Sequence, residues 1–454
     1  MARPSPLAPL LAAALTVLVL GWAASLHGLH FVDLVAFSRR ARELTAGRGP
    51  TDGLYPFGLP AWLAFAHSAG VALLPAARAL SVAAAALLAA TSARRLGLPA
   101  AVWLLAQAPF LTWGSSEGTD MVAAGLSIAA VFCADRPRLA GLLVGLALSF
   151  RWTAAAWLPA LALALPAGGR LPALGGFVVG VLPHVLGCAF TGTLVLPDQS
   201  LNLTIAAGPG APPPAGPAGI FARMPRGLAE AAPFLVPDIA SRLGAALLLA
   251  TALLPSRTAA GSALRRLAGA LLGGGVLHAV GLAAVFANPR LALPTTLVAL
   301  AGVGVAAGRI GEAAPRWQRA VGGGLLLLAA GTAATTLPAL RAPPKGAEFV
   351  TALRGALAGC PELAGPALAN NALVHTEVGG WLVPAVQLSG LRVTPRTTPA
   401  ALGRIADEAG LRVLVLDPVR ARGQPGLNPL SSGTDEEVDG WRRCTDRPLR
   451  IWTR

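Results

Sequence analysis

The sequence predicts an all-α polytopic membrane protein of about eleven transmembrane helices, followed by a small extracytoplasmic α/β domain. Three observations lead there. Only 13% of the 454 residues are charged and 54% are hydrophobic, whereas soluble domains carry about 25% charged residues. Apolar runs near the roughly 20 residues that cross a bilayer recur through the first three-quarters of the chain. Past Leu340 those runs stop and short strand-like segments take over.

Hydropathy places the spans near 7–26, 71–92, 99–113, 119–134, 138–150, 153–167, 171–193, 240–255, 266–287, 291–308 and 320–338. The first resembles a signal peptide, but its apolar core is long and lacks a clear cleavage site, so it reads as a retained span. The stretch 138–167, broken by Arg-Trp-Thr, reads either as two short spans or as one broken or re-entrant unit.

Charge supplies the sidedness. The net charge is +15, yet the arginines sit at the ends of apolar segments rather than in a continuous patch, which excludes a nucleic-acid partner. With the N-terminus in the cytoplasm, every inner connection is basic: Arg3, Arg94 with Arg95, Arg136 with Arg138, Arg170, Arg257 with Arg265 and Arg266, then Arg309, Arg316 and Arg319. Among the outer connections, 114–118 has no positive charge, and the turns at Arg151 and Arg290 have one each. This obeys the positive-inside rule. The exception is the first outer loop, His30 to Trp62, which holds two aspartates, four arginines and the only tyrosine of the chain. Its Arg39, Arg40, Arg42 and Arg48 suit either an interfacial amphipathic helix or a bound phosphate.

The remaining landmarks follow in order. Residues 197–237 include a Pro/Gly-rich run that reads as a loop, and Asn202 begins a glycosylation sequon. Four cysteines are too few for a framework. Cys133 and Cys188 fall in or beside spans as packing residues, while Cys360 and Cys444 could pair if the C-terminal part faces an oxidising compartment. In that part, 372–376, 391–394 and 411–417 read as strands, and Thr398 to Ala409 as a helix with Pro399 in its first turn. Two domains result, 1–340 with a functional first outer loop at 27–70, and 341–454. Eleven spans would put the second domain on the side of that loop.

Candidate site residues gather on the outer side. Asp33, a few residues past the first span, could serve as a general base or could merely meet interfacial water. Asp52-Gly-Leu-Tyr-Pro reads as a turn into the next helix, with Tyr55 and Trp62 as alternative stacking faces for a sugar. Glu117 and Asp120 place two acids in one short turn, where one of them could simply cap a helix. Arg151 interrupts an apolar stretch, which marks a functional candidate or an arginine snorkelling to the interface. Arg290 begins a span on the same side. His184 and His278 read as helix–helix hydrogen-bonding residues. No Walker, HExxH, GxSxG or paired CxxC motif is present, which argues against an ATP-driven pump, a zinc protease or serine chemistry.

This order of parts resembles the GT-C superfamily of membrane glycosyltransferases, which includes protein O-mannosyltransferases and the lipid A aminoarabinose transferase. The resemblance rests on one span, then an outer loop opening with Asp33, an arginine-rich helix ending in Gly (RELTAGRG), and the Tyr55–Pro60 lead-in. It continues through the acidic second outer turn, RLAGLLVGLALSFRWTAAAWLPA, and NPRLALPTTLVALAGVG. It implies transfer of a sugar from a polyprenyl-phosphate donor to a glycan, lipid or protein acceptor on the outer face. Asp33 then matches the catalytic base, while Arg151 and Arg290 neutralise the donor phosphate. Glu117, Asp120 and Tyr55 complete the substrate-binding set. The resemblance names no cofactor and leaves a divalent metal open. Membrane lipids are the other expected partners, in an inner or plasma membrane. Tyr55-Pro-Phe-Gly stands where some mannosyltransferases have a His-Pro-Pro lead-in, and no acidic pair follows Asp33, so subfamily and acceptor stay open. A transporter or lipid flippase suits the many spans as well, but no convincing internal repeat is visible, and a separate α/β domain after the last span is unusual for one. A scaffold subunit of an envelope-assembly complex is a third reading.

Overall fold

The computed structural model describes residues 6–26, 33–45, 47, 56–192, 194–195, 216–284, 289–341, 367–369, 386–387, 396–408, 410–416, 425–445 and 450–454. The chain divides into two compact units. The first comprises Met1–Leu26 and Glu43–Ala342, the second His27–Arg42 and Pro343–Arg454. Residues 27–42 therefore group with the C-terminal residues, a division the linear sequence did not suggest.

The first unit is helical. It contains α1 (Leu7–Ser25), α3 (Gly58–Ser68), α4 (Leu73–Leu96), α5 (Leu98–Leu105), α6 (Ala108–Gly114), α7 (Asp120–Phe132), α8 (Pro137–Phe150) and α9 (Trp157–Ala164). After these come α10 (Arg170–Thr191), α11 (Gly216–Leu235), α12 (Ile239–Leu253), α13 (Ala259–Ala284), α14 (Leu293–Ala313) and α15 (Gln318–Leu340). The helix α2 (Asp33–Thr45) links the two units. Among the described residues, six helical segments are long and apolar enough to cross a membrane: α1, α4, α13, α14, and the segments Ala167–Thr191 and Pro315–Leu340. The bent pair α11–α12, angled by 111°, adds a seventh if counted as one span. The other predicted spans coincide with helices too short to cross alone, α5 with α6, α7, α8 and α9.

The short helices are the interior ones. All 13 residues of α7 are buried, as expected of a helix that is apolar on every side. By contrast, α10 and α15 leave large apolar side chains such as Leu171, Phe190 and Leu327 exposed, the pattern of lipid-facing surfaces. Around α7 the polar residues fall into two groups. At one end Arg78 meets Glu117 and the carbonyl of Ala24, and Ser81 bonds Gly118 O. At the other, Arg94 and Arg95 both pair with Asp135. Hence α4 and α7 run parallel.

Residues 138–167 form a helical hairpin. Helix α8 ends at Arg151, whose backbone is extended (φ −152°, ψ 130°). A 3-10 turn, Trp152–Ala156, then reverses the chain into α9. The far end of α9 returns to where α8 began: Gly169 abuts Pro137, and Asp135 lines one cavity of about 570 Å³ together with Ala164 to Ala167. Helix α10 locks onto α8 through reciprocal small residues. A Cβ on Gly141 or Gly145 would strike the carbonyls of Ala173 or Phe177, and one on Gly176 or Gly180 those of Arg138 or Leu142. Two i, i+4 glycine pairs therefore allow backbone contact, and Ser149 donates to Gly180 O across it at 3.0 Å.

In the second unit a sheet has the order β2-β1-β3-β6-β5-β4. Its strands are β1 (Ala367–Ala369), β2 (Val386–Gln387), β3 (Val413–Leu416), β4 (Glu437–Val438), β5 (Trp441–Thr445) and β6 (Arg450–Thr453). β1 pairs in parallel with β2 and β3, whereas β3–β6, β6–β5 and β5–β4 are antiparallel. The strand expected at 411–417 is β3, and the expected helix is α16 (Pro399–Glu408). The runs 372–376 and 391–394 lie outside the described residues. Leu402, Ala406, Leu414, Leu416, Trp441 and Trp452 form the core. Cys444 is disulfide-bonded and Cys133 and Cys188 are free; Cys360, the one cysteine left in the sequence, is outside the described residues.

Candidate functional site

The site is built where three chain segments meet at the start of α7. Asp120 occupies the first turn of that helix, where the free backbone N–H groups favour a negative charge. Its side chain is 3% exposed. A lone carboxylate that deep is strongly unfavourable, and two arginines answer it. Arg151, at the turn between α8 and the 3-10 turn, brings Nη2 to 2.8 Å from Asp120 Oδ1 and donates from Nε to Thr119 Oγ1 at 3.0 Å. Arg290, just before α14, brings Nε to 3.5 Å from Asp120 Oδ2. The guanidinium groups keep 11% and 21% of their side-chain surface exposed. Among the described side chains the cluster sets two guanidinium groups against one carboxylate, with its cations more accessible than its anion.

Of the residues singled out by sequence, Asp120, Arg151 and Arg290 are brought together. Glu117 goes elsewhere: fully buried, it faces Arg78, whose Nε lies 3.3 Å from Glu117 Oε2. Arg78 also donates from Nη1 to Ala24 O at 2.7 Å, so this pair fastens the end of α1 to the acidic turn. Asp33 opens α2, with its side chain outside the described residues; Tyr55 is outside them altogether. Within α2, Arg40 is 2% exposed, which places it inside the protein rather than on a lipid surface.

Both histidines serve as joints. His278 Nδ1 donates to Thr295 Oγ1 at 3.1 Å, and that hydroxyl donates to Gly275 O. His184 accepts the backbone N–H of Phe57 at Nδ1 and donates from Nε2 to Val195 O at 3.2 Å. These tautomers are assigned from their partners.

Sequence reading missed Arg78, Thr119 and Trp152. Arg78 had a usable signal, being the one charge inside the apolar run 71–92. Thr119 had none, because an isolated hydroxyl before a helix reads as an ordinary start. A metal does not fit Glu117 and Asp120, since each is answered by arginine, which repels a cation. No group of three or more metal-ligating side chains occurs among the described residues.

No family model matches the chain, and no curated protein matches it. Solved structures do. ArnT from Cupriavidus metallidurans, bound to undecaprenyl phosphate, superposes with a TM-score of 0.56 at 13% identity, covering 98% of this chain and 97% of its own. Its apo state gives the same values. The archaeal oligosaccharyltransferase AglB from Archaeoglobus fulgidus superposes at 0.47 and 11% identity, over 93% of this chain and 72% of its own. At such identities the likeness is one of fold: over nearly its whole length this chain has the fold of the aminoarabinose transferase ArnT, a GT-C membrane glycosyltransferase.

Proposed function

We propose that this protein transfers a sugar from a polyprenyl-phosphate donor to an acceptor on the outer face of the membrane. The observation that carries the reading is the pair of partly accessible arginines, Arg151 and Arg290, converging on buried Asp120. Such a cluster suits a phosphate. Guanidinium groups match its oxygens with paired donors, and Asp120 holds both in place before the ligand arrives.

The chemistry explains why two guanidinium groups are useful. The acceptor hydroxyl oxygen attacks the anomeric carbon, the bond from that carbon to the phosphate oxygen breaks, and the hydroxyl proton passes to a base. The phosphate starts as a diester with one negative charge and leaves as a monoester with two. Arginines that bind the leaving group more tightly as it gains charge lower the barrier rather than merely holding substrate. Asp33 is the base in this reading. Ala24, close before it in the chain, accepts from Arg78, whose partner Glu117 lies three residues from Asp120, so the end of α1 is fastened to the acidic turn.

The same reading takes the short interior helices, packed among the longer ones, to complete about eleven passes. The polar end bearing Asp120 then faces outward, together with the C-terminal unit and its disulfide, in keeping with an oxidising compartment. Tyr55 is kept as a sugar-stacking face. The test is Asp33→Asn in purified protein supplied with labelled polyprenyl-phosphate sugars. Turnover should fall roughly 100-fold or more, the range for loss of a positioned base, with donor affinity retained. Full turnover would remove Asp33 from the chemistry.

A further inference from the structure

Trp152 follows Arg151 directly and begins the 3-10 turn of the α8–α9 hairpin. Its ring stands edge-to-face against His184, with centroids 4.8 Å apart and planes at 90°. His184 is itself fixed, since both its ring nitrogens are engaged by backbone groups of Phe57 and Val195. Trp152 is therefore held by packing. Its Nε1–H is nonetheless buried and meets no acceptor among the described residues.

That vacancy is unusual within this chain. An indole N–H can only donate, and a buried one ordinarily finds a partner. Trp62 bonds Ala76 O at 2.9 Å, Trp103 bonds Leu300 O at 3.0 Å, Trp441 bonds Pro399 O at 3.3 Å and Trp452 bonds Leu430 O at 3.1 Å. Leaving a buried donor unmade costs free energy, and the fold bears that cost at the residue after an arginine of the candidate site. None of the described residues supplies the missing acceptor.

We infer that the Trp152 Nε1–H is a ligand donor, bonding an oxygen of the phosphate group that Arg151 and Arg290 hold. This rests on the proposed function. A phosphate oxygen fits because the cluster that begins at the preceding residue presents two partly accessible guanidinium groups, and the indole adds a neutral, directional donor. Arginines would supply charge; the indole would help fix orientation.

The test compares full-length wild-type protein with Trp152→Phe, which keeps an aromatic ring beside His184 but loses the N–H together with the five-membered ring that bears it. Binding is measured for a polyprenyl phosphate, the parent polyprenol and inorganic phosphate, alongside thermal melting without ligand. Trp152→Phe should still fold and melt cooperatively, losing only the packing of the smaller ring, because the donor it removes has no acceptor among the described residues. It should bind polyprenyl phosphate roughly 10- to 100-fold more weakly, the span for a lost hydrogen bond to a charged group. Polyprenol binding should not change. The indole ¹⁵N–¹H resonance that disappears in Trp152→Phe should shift when polyprenyl phosphate is added to wild type and stay put with polyprenol.

Equal affinity of the two proteins for polyprenyl phosphate would overturn this inference alone and leave water as the only acceptor. An equal resonance shift with inorganic phosphate would make this a free-anion site and overturn the lipid-headgroup assignment. If wild type bound no polyprenyl phosphate, the proposed function would fall, and this inference with it.

Discussion

Arg151 and Arg290 come from separate helix boundaries, yet both address Asp120, at 2.8 Å and 3.5 Å. Their guanidinium groups are thereby held side by side at the start of the most enclosed helix in the molecule. Without Asp120, two like charges would share a poorly solvated site.

Asp120→Ala tests that balance. Breaking a buried ion pair by removing one partner costs about 3–5 kcal/mol, so the variant should melt well below wild type and lose turnover. Replacing all three residues with apolar ones should recover much of the stability and none of the turnover. Thermal melting with the transfer assay reads both.

The two arginines should respond differently to charge and to shape. Arg151→Lys keeps the charge but loses the fork that reaches both Asp120 and Thr119. If geometry matters, Arg151→Lys and Arg290→Lys should each lower kcat/KM about 10-fold or more, which is about 1.4 kcal/mol of transition-state stabilisation. Steady-state kinetics with graded donor concentrations would separate KM from kcat.

Glu117 and Arg78 are expected to be structural. Glu117→Gln should destabilise by a few kcal/mol, since it strands a buried guanidinium. Glu117→Leu with Arg78→Met should restore stability beyond the sum of the single changes, a coupling seen in a double-mutant cycle. Turnover in the double variant should stay within several-fold of wild type. A complete loss with wild-type melting would move Glu117 into the reaction.

The α8–α10 seam fixes the turn that carries Arg151. Gly145→Leu would drive a side chain into the backbone near Phe177 and Gly180. Overpacking of this kind costs about 1–3 kcal/mol, occasionally more, and should reduce turnover by displacing Arg151. Gly175→Leu, at an open position of α10, should do neither, and melting of the two variants decides the point.

The disulfide at Cys444 makes a further prediction. Cys444→Ser should destabilise the C-terminal unit by about 2–5 kcal/mol, seen as lower resistance of that unit to proteolysis while the membrane helices stay protected.

What could be read from the sequence follows from which signals are local. Mean hydropathy and arginines at segment ends were enough for the polytopic class, and β3 and α16 were visible as a hydrophobic run and a proline-started helix. Arg151 and Arg290 stood out because each interrupts or begins an apolar stretch. Their shared partner was harder: Asp120 and Glu117 look equivalent in WGSSEGTD, and only packing sends one to Arg151 and the other to Arg78. Span count was harder to read for a related reason. Apolar length marks a lipid-facing crossing well, but α7, enclosed on all sides, need not match the bilayer. Trp152 gave no signal, since an unmade hydrogen bond is visible only once every neighbour is placed.

The central claim is that a glycosidic bond is broken here, and one measurement addresses it directly. Purified protein in sealed proteoliposomes is given a polyprenyl-phosphate sugar labelled in the sugar, with envelope extract as acceptor. The account predicts that label leaves the lipid and enters acceptor in step with free polyprenyl phosphate, and that Arg151→Gln abolishes both. Label that crosses the membrane still attached to intact lipid, with no polyprenyl phosphate released, would contradict it and identify a flippase instead.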